Sequence, residues 1–469
     1  MSYKKTIGIE VHCELKTKEK IFSPSLNNYG SMANMNANVI DFGYPGTLPL
    51  LNKEVLEYAI RACKVLNLNI TRDMHFDRKN YFYADNPKNF QITQNETPIG
   101  REGYVEIEIN GEKKKIEILE MHIEEDTCKS VHSEKNSLLD FNRAGVPLIE
   151  IVTKPCMHSE EEAVKYLEKL RELLLYADVS DCKIEEGSMR CDTNVSISKT
   201  EEFGTKIEVK NIGSISNVGE AIKFEAKRQE EILEHGGVLH EETRRFDDKK
   251  RETILMRVKE TGNDYRYFPE PDIPFVYLTD EFINNSLSSL KRMPDERRMD
   301  YEKSGILPIN IEKIIANKEI SDYLEKFLDC NLVIASNLLL GDISAYLNKN
   351  NKKIEETMLD DKKFRELVNK LDKGDITNKI FKEILDDLME TDKSIDKILE
   401  EKGLNLVNDD SLIDSIIDKI ISENEKIVSD YKSGNTRSAK ALMGLVMKEG
   451  KGKINPSIAN NKLMEKLDA

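Results

Sequence analysis

One short stretch constrains this chain more than any other. In LLDFNRAGVPLIEIVTKP (Leu138–Pro155), Glu150 lies inside the apolar run Leu148–Val152. That run is short, β-branched and bounded by Pro147 and Pro155, the pattern of a mostly buried strand. In a strand, Leu148, Glu150 and Val152 share one face and Ile149 and Ile151 the other. An ionised carboxylate there is costly unless a cation, a metal or a hydrogen-bond network compensates it. The charge must therefore point into a compensating site, and we expect that to be the active site.

The surrounding chain is long enough, at 469 residues, for about two to four domains with sizeable cores. A hydrophobic fraction of 39% beside 33% charged residues describes a soluble globular protein with a highly charged surface. No run approaches 18 consecutive apolar residues, and the N-terminus, MSYKKTIGIEVHCEL, passes directly into a charged, alternating pattern. Neither a signal peptide nor a membrane span is expected, which places the protein in the cytoplasm. The cysteines at 13, 63, 128, 156, 182, 191 and 330 form no CxxC pair and read as reduced thiols in cores, not as a zinc site. A net charge of −16 excludes indiscriminate coating of nucleic acid but not a local basic patch. Such a patch lies at the end of the chain, where Asp430–Ala469 carries eight Lys/Arg against four Asp/Glu.

Up to about residue 275, alternating segments dominate: Thr6–Leu15, Gly103–Ile109, Lys115–Glu125, Leu148–Val152, Asn194–Ser198, Lys206–Lys210 and Thr253–Lys259. Helices interrupt them. The clearest spans Ser159–Ala177, with Ala163, Leu167, Leu170, Leu174 and Ala177 at helical spacing and a capping box from Ser159 and Glu162. A second runs roughly from Val218 to His235 and ends at Gly236-Gly237. Without a regular βαβ alternation, this mixture favours an α+β fold with a largely antiparallel sheet over a doubly wound one. The Pro-rich Tyr267–Phe275 and Met293–Arg297 mark the exit from this domain; a helical, Lys-, Glu-, Asp- and Ile-rich stretch follows, and a further shift occurs near Gly403–Asp410. The expected division is a catalytic domain over 1–292, a helical connector over 293–402 and a small helical tail over 403–469. No internal repeat is present.

Three strand segments carry a carboxylate and another polar side chain two residues apart, hence on one face: Glu10 and His12; Glu120, His122 and Glu124, followed by Glu125 and Asp126; and Asp192 with Asn194. Carboxylates and an occasional imidazole gathered on one sheet face suit a hard divalent cation such as Mg²⁺, which commonly neutralises nucleotide phosphates in phosphoryl transfer. The competing reading makes them solvent faces of half-exposed strands. Cations at the same spacing, Lys206 and Lys210 about Glu208, then Arg257 and Lys259, suit phosphate or an acidic substrate, or equally a wet sheet face. In DRKNYFYADNPKNFQITQ (Asp77–Gln94), Arg78, Lys79, Tyr81, Tyr83 and Lys88 combine basic and aromatic character that fits stacking on an unpaired nucleotide end, against a packed loop. His75, His132, His158, His235 and His240 lack comparable company and fit surface roles. There is no GxxxxGK[ST], no helix-opening GxGxxG, no Gly/Ser-rich amidase stretch and no Cys–His nucleophile pair, so if ammonia is involved this chain does not generate it.

LLDFNRAGVPLIEIVTKP closely resembles the signature of the B subunit of aspartyl/glutamyl-tRNA amidotransferases. So do IGIEVHCELKT (Ile7–Thr17), FDRKNYFYADNPKNFQITQ (Phe76–Gln94), EEGSMRCDTNVS (Glu185–Ser196) and DYRYFPEPDIP (Asp264–Pro274), while KALMGLVMKEGKGKINP (Lys440–Pro456) resembles that family's small helical tail. The resemblance implies a cradle-shaped catalytic domain related to glutamine synthetase and guanido kinases. It implies that ATP and Mg²⁺ phosphorylate the side-chain carboxylate of Glu-tRNA(Gln) or Asp-tRNA(Asn). Ammonia from an amidase A subunit then gives the amide, a small C subunit ties the complex together, and the basic tail holds the tRNA. On this reading Glu10, His12, Glu125 and Glu150 hold Mg²⁺, and Glu124 and Asp192 are further ligands or orienting groups. Arg143, Arg190 and Lys210, with Lys79 and Tyr81, are the candidates for phosphate and substrate contact. Cys13 stands alone where some members carry a cysteine-based zinc site, so no zinc is expected, and Ala84 replaces the proline usual in YFYADNPK. Two other classes stay open: a self-sufficient Mg/ATP-dependent carboxylate kinase or ligase, and a non-catalytic tRNA-binding scaffold.

Overall fold

A computed structural model describes residues 3–133, 135–258, 265–404, 410–450 and 454–468. The chain forms two compact units, Met1–Pro294 and Asp295–Ala469. The first is built on a nine-stranded sheet. Its strands are β1 (Lys4–Glu14), β2 (Asn69–Ile70), β3 (Gly100–Ile109), β4 (Glu112–Glu125), β5 (Pro147–Thr153), β6 (Met189–Ser198), β7 (Ile207–Lys210), β8 (Glu242–Asp247) and β9 (Glu252–Val258). They lie in the order β9-β8-β7-β6-β1-β5-β4-β3-β2. Every ladder is antiparallel except β7 with β8. The sheet is thus mixed but dominated by antiparallel pairing, and the apolar run around Glu150 occupies an interior strand between β1 and β4.

Strict alternation gives the sheet two unlike faces. Ile7, Ile9, Val11 and Cys13 of β1 are fully or almost fully buried, as are Ile149 and Ile151 of β5 and Met121 and Ile123 of β4. They form one core with three helices: α1 (Lys53–Val65), α2 (Glu160–Tyr176) and α3 (Ile215–Glu234). Ser159 caps α2 by accepting from Glu162 N, but the Glu162 carboxylate reaches back to His158 N at 2.7 Å, one residue before the expected closure of the box. α3 starts three residues ahead of Val218 because Ser214 caps it. It stops where Gly236 takes φ +75° and Gly237 N donates to Ile232 O, a turn that favours glycine at its left-handed position.

Among the elements absent from the sequence reading are α1 and β8. α1 buries Val55, Leu56, Ala59, Ile60 and Cys63 at helical spacing and is capped by Asn52, so its signal was available. β8, sequence ETRRFD, hides its strand character in charge: Arg244 pairs with Glu242 at 2.6 Å and approaches the buried Glu225 of α3 at 3.6 Å. The predicted strand Thr253–Lys259 is observed as Glu252–Val258, and Lys259 lies outside the described residues, as does Asp264 of the DYRYFPEPDIP motif. The Pro-rich segment read as marking the exit from this domain, and included in it, is tied to its body. Phe268–Pro269 pairs with Asp77–Arg78, and Arg78 grips Glu270 with two hydrogen bonds of 2.6 and 2.8 Å. Asp77–Asn80 also pairs with Phe90–Thr93, a small sheet that carries Lys79 and leads into Tyr81.

Among the described residues the second unit is helical. Ile413, Ile417, Leu442, Val446, Leu463 and their neighbours form a separate core within it. Among the described residues no helix is long and apolar enough to cross a membrane.

Candidate active site

The face of the sheet opposite the helices is polar, and register assembles it. On β1, Glu10 lies opposite Asp192 of β6 and Val152 of β5; His12 lies opposite Arg190 and Glu150. Glu150 is in turn opposite His122, and Leu148 opposite Glu124. Two constellations result. In the first, His12 Nε2 stands 3.5 Å from Glu124 Oε1 and 3.6 Å from Glu150 Oε1. In the second, one carboxylate oxygen from each of Glu10, Asp192 and Glu208 falls within 4.8 Å of the others. They are about 7 Å apart along β1, the two-residue repeat of a strand.

The electrostatics are those of crowded acids in a poorly hydrated place. Burial, then the neighbouring Glu150, push the Glu124 carboxyl above the usual range, against the pull of His12 and Lys79. Lys79 stays charged: burial works against its ammonium, but Glu124, Tyr267 and Glu150 more than offset this. Lys210 behaves likewise, with Asp192 and Glu208 outweighing burial, and its Nζ lies 2.6 Å from Asp192 and 3.0 Å from Glu208. Asn194 donates to Glu10 at 2.9 Å and Thr243 to Glu208 at 2.9 Å, fixing the second set of acids from outside. A third group closes the end of the face: Asp126 binds Arg190 and, at 3.4 Å, Arg143. Glu14 beside them is pushed up to about 7 by burial and by Asp126.

The expected set Glu10, His12, Glu125 and Glu150 is therefore not one cluster. Glu10 belongs with Asp192 and Glu208, while His12 and Glu150 belong with Glu124. Glu125 joins neither among the described residues. Consecutive strand residues point to opposite faces, so the Glu125 carboxylate turns away from Glu124, binds Lys88 and accepts from Ile92 N at 2.9 Å. His122 shares the polar face but both ring nitrogens are engaged, with Gln94 O and Glu120. Arg143 donates to the carbonyls of Thr127 and Cys128 as well as facing Asp126, so it braces the loop that orients Arg190. Glu208 was overlooked as a ligand because it stands between two lysines; its spacing with Lys210 was the available signal.

His12, Glu124, Asp192, Lys79, Arg190 and Lys210 line one cleft of about 470 Å³, large enough for a nucleotide-sized ligand. A second cleft of about 700 Å³ adjoins it through Lys79, Tyr81 and Lys210. Two carboxylates and an imidazole, with Glu124 buried and raised, offer the donor set of a hard divalent cation. Three carboxylates in the second set also suit one, although Lys210 already neutralises two of them.

Comparison with known proteins bears on the same residues. A family model described as the GatB/GatE catalytic domain matches residues 5–284, and one described as a GatB domain matches 322–467. The chain is 46% identical over 474 residues to the B subunit of an aspartyl/glutamyl-tRNA(Asn/Gln) amidotransferase from Oceanobacillus iheyensis, covering 100% of both. Proteins of the same description from Geobacillus kaustophilus and Bacillus velezensis are 45% and 44% identical over 473 residues, with 100% of this chain and 99% of each relative covered.

Proposed function

The chain belongs to the B-subunit family of aspartyl/glutamyl-tRNA(Asn/Gln) amidotransferases, and from that membership we propose how its polar sheet face works. The protein is part of an ATP-dependent, glutamine-hydrolysing ligase that converts mischarged Glu-tRNA(Gln) or Asp-tRNA(Asn) to the amidated form. A carboxylate resists ammonia because its leaving group would be oxide. Transfer of the γ-phosphoryl group of ATP to the side-chain carboxylate gives an acyl phosphate and ADP. Ammonia then adds at the carbonyl carbon, the carbon–oxygen bond to phosphate breaks, and a proton is lost to leave the amide.

The observation that carries this reading is the pair of acid constellations, from which His12, Glu124 and Asp192 line a cleft together with Lys79, Arg190 and Lys210. His12, Glu124 and Glu150 would hold Mg²⁺, with Glu10, Asp192 and Glu208 as a second candidate set. Bound there, the ion supplies neutralisation of phosphate charge against the substrate carboxylate. Lys79 and Lys210, kept charged by the acids they face, hold phosphate oxygens. Arg190, anchored by Asp126, presents its planar guanidinium to phosphate or carboxylate. Buried Glu124 keeps its proton to higher pH than an ordinary carboxyl, which lowers repulsion in the cleft until a cation arrives.

Further assignments belong to this proposal. The catalytic unit is a cradle of the glutamine synthetase and guanido kinase type. The remainder acts as a connector over 293–402 and a tRNA-binding tail over 403–469, whose KALMGLVMKEGKGKINP motif includes 451–453 outside the described residues. The partners are an amidase A subunit that makes ammonia and a small C subunit. The setting is the cytoplasm, and no zinc is required. The end-to-end similarity to tRNA-directed relatives argues against a self-sufficient small-molecule kinase or ligase. Glutamine-dependent conversion of Glu-tRNA(Gln) or Asp-tRNA(Asn) by the reconstituted complex tests the reading, and full activity after Glu150→Ala or His12→Ala would overturn the site.

A further inference from the structure

We infer that the cleft walled by Tyr81, Tyr83 and Tyr265 receives the terminal nucleoside of the aminoacyl-tRNA, with its base stacked on the tyrosine rings. The inference rests on the function proposed above and adds a place for the nucleic-acid end. The cleft encloses about 700 Å³ and is lined by Arg257 and Arg266, by Lys79 and Lys210, which also face the acids of the adjoining cleft, and by one carboxylate, Asp85. A polyanionic strand fits that balance, whereas the adjoining cleft is the one carrying the acids.

The rings are arranged to accept a flat partner. Tyr81 meets Tyr265 at 6.2 Å with the planes 75° apart, Tyr81 meets Tyr83 at 6.0 Å and 60°, and Tyr265 meets Tyr267 at 6.0 Å and 67°. At these angles none of the three pairs is stacked face to face, so no ring of the wall is already sandwiched by parallel stacking within these pairs. Lys79 Nζ lies 4.9 Å from the Tyr265 ring centroid, which ties the aromatic wall to the acid cleft. Tyr83 is 66% and the adjacent Phe82 71% exposed, so the wall continues to the surface, where a polymer can enter.

Covalent geometry supports the same placement. In the substrate, five bonds separate the ribose oxygen from the glutamate side-chain carboxyl carbon, an extended reach of about 6 Å. A substrate carboxylate brought to a cation that His12, Glu124 and Glu150 would hold therefore obliges its nucleoside to occupy space immediately adjoining that site. The tyrosine cleft is that space, since it shares Lys79, Tyr81 and Lys210 with the acid cleft. The adenine of ATP is the other base that such rings could stack, and kinetics separate the two.

The test uses the complex with its amidase partner, with ammonium chloride as nitrogen donor so that glutamine hydrolysis plays no part. Tyr265→Leu is expected to raise KM for the aminoacyl-tRNA roughly tenfold and leave KM for ATP in place, while Tyr265→Phe, which keeps the ring, restores the wild-type value. Arg257→Ala should make KM for tRNA less dependent on salt. Should Tyr265→Leu fold poorly, Tyr83→Leu serves, because that ring is largely exposed. An unchanged KM for tRNA in the leucine variants overturns the inference, and so does a rise confined to KM for ATP. A wild-type complex that never forms amidated tRNA refutes the proposed function; a working complex without the KM split refutes only this subsite.

Discussion

Replacing Glu14 by glutamine tests the energetic cost of this polar face. Glu14 ends β1 beside Asp126, and burial followed by that neighbouring charge lifts its carboxyl from the ordinary 4.5 to about 7, against the pull of Arg190 and Arg143. Below pH 4.5 the group is protonated in both folded and unfolded chains. Between 4.5 and about 7 the unfolded chain loses the proton while the folded chain keeps it, so stability falls as pH rises, and above about 7 the full cost is present. At 1.36 kcal/mol per pH unit that span amounts to about 3 kcal/mol, or ~2 kcal/mol once screening by water at a partly exposed group is allowed for. Glu14→Gln removes the titration. At pH 8 the variant should hold β1 more firmly by ~2 kcal/mol, and at pH 4.5 the two proteins should match. Hydrogen exchange of β1 peptides, corrected for the intrinsic rate at each pH, reads this difference directly. Equal offsets at both pH values, or a variant less protected at pH 8, would refute the reasoning.

Three other outcomes are expected. Glu150→Gln keeps the shape and removes the charge, so the Mg²⁺ concentration for half-maximal amidation should rise at least about tenfold, roughly 1.4 kcal/mol of binding; an unchanged Mg²⁺ titration speaks against this ligand. Ile151→Ala empties a fully buried position in an interior strand and should cost about 2–5 kcal/mol, seen by calorimetry as a lower first transition. Gly204→Ala would drive its Cβ into Ile197 O, a backbone atom that cannot step aside. Roughly 1–3 kcal/mol of strain or more follows, and a thermal midpoint equal to wild type would contradict it.

Much of this site is written in local pattern. Alternation along IGIEVHCE separates Ile7, Ile9, Val11 and Cys13 from Glu10, His12 and Glu14 with no tertiary information, and the structure keeps that division. Glu150 in its apolar run announces a compensated charge, and Ser159 announces the start of α2. Parity even separates Glu124 from Glu125, although adjacency in sequence invites placing both in one cluster. Charge obscured other elements: the β8 strand reads as a polar loop until Glu225 and Glu242 are seen beside Arg244.

The chain by itself determined which residues share a face, because side-chain direction in a strand repeats every two residues and needs no partner. Only the tertiary structure decided which faces meet. Glu208 reaches Glu10 across two ladders, through Asn194 and Asp192 on β6. His122, one strand from Glu150, is withdrawn by Gln94 O and Glu120. Strand order and register arise from packing the whole sheet against its helices, a balance of many distant contacts that no short window contains. That balance sorted one row of acids into two constellations and turned Glu125 toward Lys88.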